Sequence, residues 1–446
     1  MRKFRILRIT ALAYRHLINS LYENNIDLGE KTYNEQLNVI ISKKAVFSNG
    51  ISLGLESLGH EVIEIICDVP PLQFAWAREN NYDINGEDDW ISKISLAQVV
   101  SMKPDVVFCH NIDLWNPNVF KDLKTICSSI KIIVAYVGYP QKSYNYYSNV
   151  DLFLGGVPFI TEDVLSLGLN AHTMYQSFDK EILKEIDTDN YKNERFLEHD
   201  FVFTGSYTWS RLGRYYTLKR LMHDTSLKCW VLENLIDKLF EKPQSFEIFN
   251  SGKRILKWFL QYVFQFIKQQ KQLQILEIFN NEPRWLIKKK LYSIFSIVLQ
   301  AKGIHIIEEY EKLKLCLPIS DLFPGRVFPP VYGFDMYRLI QGSRITFNVH
   351  TKQAREFVGN MRLFEATGMG TCLLTDTGVN MCEIFEEDNE VVTYRSVDEA
   401  IEKANYLLNH EDERKKIALA GQKRTLKDHT AFNRAQQLDQ LLRESI

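Results

Sequence analysis

The chain has 446 residues, of which 45% are hydrophobic and 25% charged, and a formal net charge of −2. That length calls for two or three domains rather than one, and near-neutral charge gives no general pull toward nucleic acid or anionic membrane. Seven scattered cysteines without a CxxC pair argue against a disulfide framework or a zinc site and fit a reducing cytosol.

The N-terminal MRKFRILRITALAYRHLI is broken by Arg5, Arg8, Arg15 and His16, so it reads as a first strand (Phe4–Ile9) and a helix rather than a signal peptide. No uncharged apolar run reaches 18 residues, so no spanning helix is expected. Residues 34–58 look helical, with an interruption at Ser48-Asn49-Gly50. Glu61–Cys67 alternates as a half-solvated strand does. Asp105–Cys109, Ile130–Val137 and Leu152–Leu154 are short apolar runs of the kind that fill a central parallel sheet. They end in His110-Asn111, in Gly138-Tyr139-Pro140 and in Gly155-Gly156. Strands alternating with helices at this spacing predict a doubly wound α/β sheet.

A polar linker is expected near Ser177–Glu198, and Phe201–Thr204 opens a second domain, with Gly205-Ser206 following the strand and Arg211 and Arg214 on the next helix. Between Ser251 and Gly303 there are ten Lys or Arg against two Asp or Glu, interleaved with WFLQYVFQFI and LYSIFSIVLQ. This is a helical insertion spanning about 235–317. Its aromatic face either packs on the core, the commoner fate, or lies on a membrane surface with lysines on anionic lipid. The chain then returns to the sheet with Ile345–Val349, a helix beginning near Asn360 and stopped by Gly368 and Gly370, and a strand Cys372–Leu374. Two helices follow, at Asp398–Asn409 and Glu411–Lys427, and a last one starts at Ala431.

The stretch ITFNVHTKQAREFVGNMRLFEATGMGTCLLTD carries the chemistry. In open α/β sheets, ligands bind where strands give way to helix N-termini, because free backbone N–H groups face that crevice. Here His350, Asn360, Arg362, Glu365 and Thr375 converge on such an edge. A guanidinium suits a diphosphate, and a carboxylate suits a sugar diol. The combination points to a nucleotide-sugar site.

NMRLFEATGMGTCLLTD, followed by LNHEDERKKIALAGQKRTLKDHTAFNRAQQL, resembles the group 1-type C-terminal domain of the CgeB-like (spore maturation protein-like) glycosyltransferases. TYNEQ, LESLGHEV, QFAWAREN and KPDVVF agree in the first half. The resemblance implies a GT-B fold of two Rossmann-like domains: an acceptor domain at 1–190, and a donor domain at 196–430 that carries the insertion. A terminal helix, 431–446, would cross back to the first domain. It also implies a nucleoside-diphosphate sugar as co-substrate, no metal and no cofactor. Glu365 would then accept hydrogen bonds from the ribose. Thr204, Gly205 and Ser206, with Arg211 near the next helix start, would form a phosphate-facing loop. A glutamate that many retaining relatives place eight positions before Glu365 falls here on Phe357, with Glu356 one residue away, so retention and inversion both stay open.

Each candidate has a plainer alternative. Glu365 is a carboxylate near a helix N-terminus, where it complements the macrodipole, Arg362 is its i,i+3 ion-pair partner, and His350 is a structural hydrogen-bond donor at a strand end. If the reaction inverts, an acceptor hydroxyl must lose its proton to a base; His110, with Asp113 beside it, is the candidate, and a loop histidine is the alternative. Asn49, Gly50 and Tyr139 are the expected acceptor-side residues. The expected partners are a nucleotide sugar and an acceptor glycan, lipid or protein, with no nucleic acid. The expected location is the cytoplasm, with the inner face of the plasma membrane reached if 251–303 binds lipid. An epimerase or hydrolase of the same fold, and a silent nucleotide-sugar-binding scaffold, remain rivals.

Overall fold

The computed structural model describes residues 2–11, 15–44, 49–84, 89–110, 117–141, 143–187, 198–208, 212–234 and 318–445. The expected insertion and its basic segment 251–303, together with Arg211 and Asp113, lie outside these residues. The first sheet contains β1 (Arg5–Thr10), β2 (Glu61–Ile66), β3 (Val106–His110), β4 (Ile132–Val137), β5 (Leu152–Gly155) and β6 (Ala171–Thr173). The second contains β7 (His199–Thr208), β8 (Lys228–Asn234), β9 (Val327–Phe328), β10 (Ser343–Asn348), β11 (Cys372–Asp376) and β12 (Val392–Tyr394).

Strand order in the first sheet is β2-β1-β3-β4-β5-β6, with parallel pairing throughout. The order reverses between β1 and β3. Successive side chains on a strand face opposite ways, and both faces here are buried. Leu7, Ile9, Val107, Cys109, Ile133 and Ala135 enter one core. Ile6, Val106, Phe108, Val134 and Tyr136 enter another, closed by Leu55 of helix Gly50–Ser57 and by Ala435, Leu438 and Leu442 of helix Ala431–Glu444. That final helix starts from a capping box, in which Thr430 and Asn433 bond each other's backbone N–H.

The second sheet runs β12-β11-β10-β7-β8-β9, so its reversal falls between β10 and β7. Parallel registers join β10 to β7 and β11, and β11 to β12. The expected loop at Gly205-Ser206 is corrected here: β7 continues to Thr208, so both residues sit inside the strand. β7 has a neighbour on each side, and a strand in that position gains ladder bonds by continuing.

The first part of the linker expected at Ser177–Glu198 is ordered structure instead, and 188–197 lie outside the described residues. Phe178 N–H donates to His429 O (2.9 Å), and Ala431 N–H donates back to Phe178 O (2.9 Å). Helix Glu181–Asp187 then buries Ile182 and Ile186, one turn apart, with Met336, Tyr337 and Leu363. At the crossing, Arg434 donates to the carbonyls of Tyr175 (2.7 Å) and Gln176 (3.3 Å) and to His429 Nδ1 (3.0 Å), while His429 Nε2–H donates to Ile384 O (2.9 Å). Burial, with Arg434 and Arg424 nearby, holds the His429 pKa down at about 4 against the pull of the Ile384 bond. Gly368 has to be glycine, because a Cβ there would enter the Phe178 ring.

By contacts the chain forms two units. One comprises Met1–Thr204, Arg220–Cys229 and Pro330–Ile446; the other comprises Gly205–Lys219 and Trp230–Pro329. In the second unit Trp230 stacks on Phe328 (4.6 Å between centroids), and Arg214 donates to Ser206 O (2.9 Å). Among the described residues no helix is long and apolar enough to cross a membrane.

Candidate functional site

At the carboxyl edge of the second sheet, β10, β11 and helix Met361–Gly368 bring one connected polar network together. Asn348 and Asn360 exchange amide hydrogen bonds (2.8 and 3.2 Å), and Asn348 also donates to Thr375 Oγ1 (3.0 Å). Thr375 donates to Asp376 Oδ1 (3.3 Å). Asp376 in turn accepts from the His350 backbone N–H (2.9 Å) and pairs with His350 Nδ1 (2.7 Å). The other ring nitrogen, Nε2, accepts from the backbone N–H groups of Gly359 (3.3 Å) and Asn360 (3.5 Å). Two donors on Nε2 place the ring proton on Nδ1, aimed at Asp376. The imidazole therefore covers helix N-terminal N–H groups of the kind that bind anions elsewhere.

One turn further on, Arg362 pairs with Glu365 (2.8 Å), and both side chains are largely buried. Arg362 also donates to Thr204 Oγ1 (2.9 Å) on β7, the strand next to β10 at the strand-order reversal. The i,i+3 pair expected on an exposed helix face is instead sheltered, where a Coulomb interaction is less screened. Helix Met361–Gly368 ends with Gly370 at φ +69°, a left-handed cap that suits glycine.

Of the residues expected from sequence, His350, Asn360, Arg362, Glu365 and Thr375 come together at this edge. Gly205 and Ser206 lie along β7, and Arg211 lies outside the described residues. Sequence reasoning missed Asn348 and Asp376 as members, while Thr204, expected with Gly205-Ser206 in a phosphate-facing loop, joins the site through Arg362. Asn348 and Asp376 each end a strand, which was a usable signal, whereas Thr204 lies in the middle of β7.

The first sheet carries a second cluster at its own reversal. Arg8 on β1 is 1% exposed; it pairs with Glu64 of β2 (2.7 Å) and donates from Nε to His110 Nε2 (3.3 Å) on β3. Ser52 Oγ donates to the same Glu64 oxygen. Burial first, and the Arg8 charge second, hold the His110 pKa well below its usual value, so the ring is neutral. His110 is thus a covered strand residue whose Nε2 is occupied by a guanidinium. Asn49 accepts from Lys44 Nζ (3.0 Å), which also pairs with the buried Asp179 (3.1 Å). Gly50 opens the next helix so close that a Cβ would lie 2.8 Å from Ala431 and 2.9 Å from Asp179. Tyr139 is exposed.

Residues 309–440 match the family model described as "Glycosyl transferase-like", less than half of the chain. Comparison with curated proteins finds no match. Among solved structures, a glycosyltransferase from Rickettsia africae is similar over 100% of this chain and 99% of its own, at 11% identity and a TM-score of 0.51. The fold is GT-B. The Anabaena HepE protein in complex with UDP and glucose aligns at 12% identity over 98% of this chain and 99% of its own (TM-score 0.47). A sucrose-phosphate synthase from Thermosynechococcus elongatus aligns at 10% identity over 99% of both chains (TM-score 0.47).

Proposed function

We propose that this GT-B chain is a glycosyltransferase that moves a sugar, a hexose by its CgeB-like resemblance, from a nucleoside-diphosphate donor to an acceptor hydroxyl. The observation that carries the reading is the network at the second sheet's edge, set within the glycosyl transferase-like match at 309–440. The donor lies at the reversal between β10 and β7. Its ribose diol bonds the Glu365 carboxylate, and its diphosphate takes the N–H groups of Gly359 and Asn360 in place of His350 Nε2. Arg362, tethered to Thr204, stabilises the negative charge that develops on the leaving diphosphate, and charge that grows in the transition state is what such a group stabilises best.

A released His350 Nε2 then accepts from a hydroxyl of the transferred sugar, with Asp376 keeping the ring oriented. Because a guanidinium and backbone N–H groups meet the leaving charge, this reading requires no metal. The acceptor lies toward the first sheet, and the protein works in the cytoplasm.

The test is turnover of a panel of nucleotide sugars with a mixed acceptor panel, reading release of nucleoside diphosphate with and without a chelator. Acceptor-dependent release that survives chelation is the expected result. Donor conversion that ignores every acceptor would transfer the protein to an epimerase or hydrolase of the same fold.

A further inference from the structure

We propose that the cavity under the edge of the first sheet, lined by Arg8, His110, Tyr136, Gln176 and Asp179, anchors adjacent hydroxyls of a neutral sugar. This names the acceptor class and rests on the transferase reading. The cavity volume is about 40 Å³, room for about three water-sized groups. It therefore admits a diol or a hydroxymethyl group rather than a whole ring.

The Tyr136 hydroxyl is the clearest sign of a missing ligand. Tyr136 is 4% exposed, and its Oη has no hydrogen-bond partner among the described residues. A buried hydroxyl without a partner is costly, and proteins rarely keep one. Two glycines keep the space around it open. A Cβ on Gly156 would stand 3.0 Å from Tyr136 Oη, and a Cβ on Gly138 would stand 2.8 Å from Gln176 Nε2.

Charge decides what fills the space. Arg8 is balanced by Glu64, and the Lys44 ammonium by Asp179, both at hydrogen-bonding distance. The neutral imidazole of His110 adds nothing. Among the described residues that line the cavity no cation lacks a carboxylate. The Arg434 guanidinium, which acts on Tyr136 from outside the lining, spends its donors on carbonyls and on His429. A phosphate or carboxylate would therefore arrive without a charged partner in the lining, at a large cost in a buried site. A hydroxyl both donates and accepts, which matches a lining of phenol, amide, guanidinium and carboxylate. Met361, the first residue of the helix that carries Arg362 and Glu365, lines the same cavity. A sugar anchored here would therefore present a further hydroxyl beside the donor helix.

Titration calorimetry with methyl glucoside, methyl galactoside, methyl mannoside and methyl N-acetylglucosaminide, against inorganic phosphate, tests this in the wild type and in Tyr136→Phe. The variant deletes a hydroxyl that bonds nothing among the described residues, so it should fold normally. Saturable binding of at least one glycoside, about tenfold weaker in Tyr136→Phe, is expected; phosphate should not compete. No glycoside binding, equal binding by the variant, or displacement by phosphate would each overturn the subsite. Acceptor-dependent nucleotide release without Tyr136-dependent glycoside binding would reject this subsite and leave the transferase reading standing. Glycoside binding by a protein that responds to no nucleotide would do the reverse.

Discussion

Both sheets place a buried polar cluster where their strand order reverses, yet the two clusters are built differently. In the second sheet the network from Asn348 to Asp376 comes from one strand–helix–strand unit, and its side chains satisfy one another. In the first, Arg8, Glu64, His110 and Tyr136 come from four strands and leave the Tyr136 hydroxyl over a cavity. A network complete by itself is ready for a ligand that exchanges one hydrogen bond for another, as a diphosphate would at His350 Nε2. A cluster with an open hydroxyl is ready for a ligand that adds bonds. On the proposed reading, the difference assigns the donor to the edge of the second sheet and the acceptor to that of the first.

The largest effect should come from dismantling the first cluster. Arg8→Met leaves the Glu64 carboxylate without its cation in a buried place, a loss of about 3–5 kcal/mol. Urea unfolding of both proteins measures it, and a loss under about 1 kcal/mol would mean that water reaches Glu64. Acid sharpens the contrast next. Between pH 6.5 and about 4 the unfolded chain binds a proton that folded His429 refuses. The stability present above pH 6.5 is therefore lost as pH falls toward 4, by about 3 kcal/mol for this one group. His110 adds to the loss in the same direction. His429→Gln should flatten part of that slope, and thermal melts across the window that show no slope in the wild type would contradict it.

Glu365→Ala should weaken nucleotide binding by about 1–3 kcal/mol through lost charge-assisted bonds, read by calorimetry with whichever nucleotide binds. Unchanged affinity would remove Glu365 from the donor site. Smallest of these, Gly370→Ala forces a side chain into the left-handed region and should cost about 1–2 kcal/mol in a melt, with the first cluster unaffected.

The two edges also differ in how far the chain's order reveals them. The fold class was readable because central strands such as Ile132–Val137 are continuous apolar runs that alternate with helices at regular spacing. Most of the second edge was readable for the same local reason, since its residues share one short unit. Gly205-Ser206 was misplaced because a strand's length depends on its neighbours in the sheet, which no local pattern records. The first cluster was only partly visible. Arg8 served only to break an apolar run, and Tyr136 passed as one more apolar strand residue. What unites them is register: Arg8 stands beside Glu64, and His110 beside Tyr136. The helix at Glu181–Asp187 escaped for a related reason, since its two buried isoleucines have meaning only against Met336 and Leu363.

The most direct test of the central claim is a thermal-shift screen of the folded protein against UDP, GDP, TDP, ADP and CMP and their common sugar conjugates, in wild type and Glu365→Ala. One nucleotide class should stabilise the wild type, by about 2.7 kcal/mol at a hundredfold excess over its dissociation constant, and should lose most of that effect in the variant. A wild type that none of them stabilises, or a response that Glu365→Ala leaves intact, would contradict a nucleotide-sugar site at the edge of the second sheet.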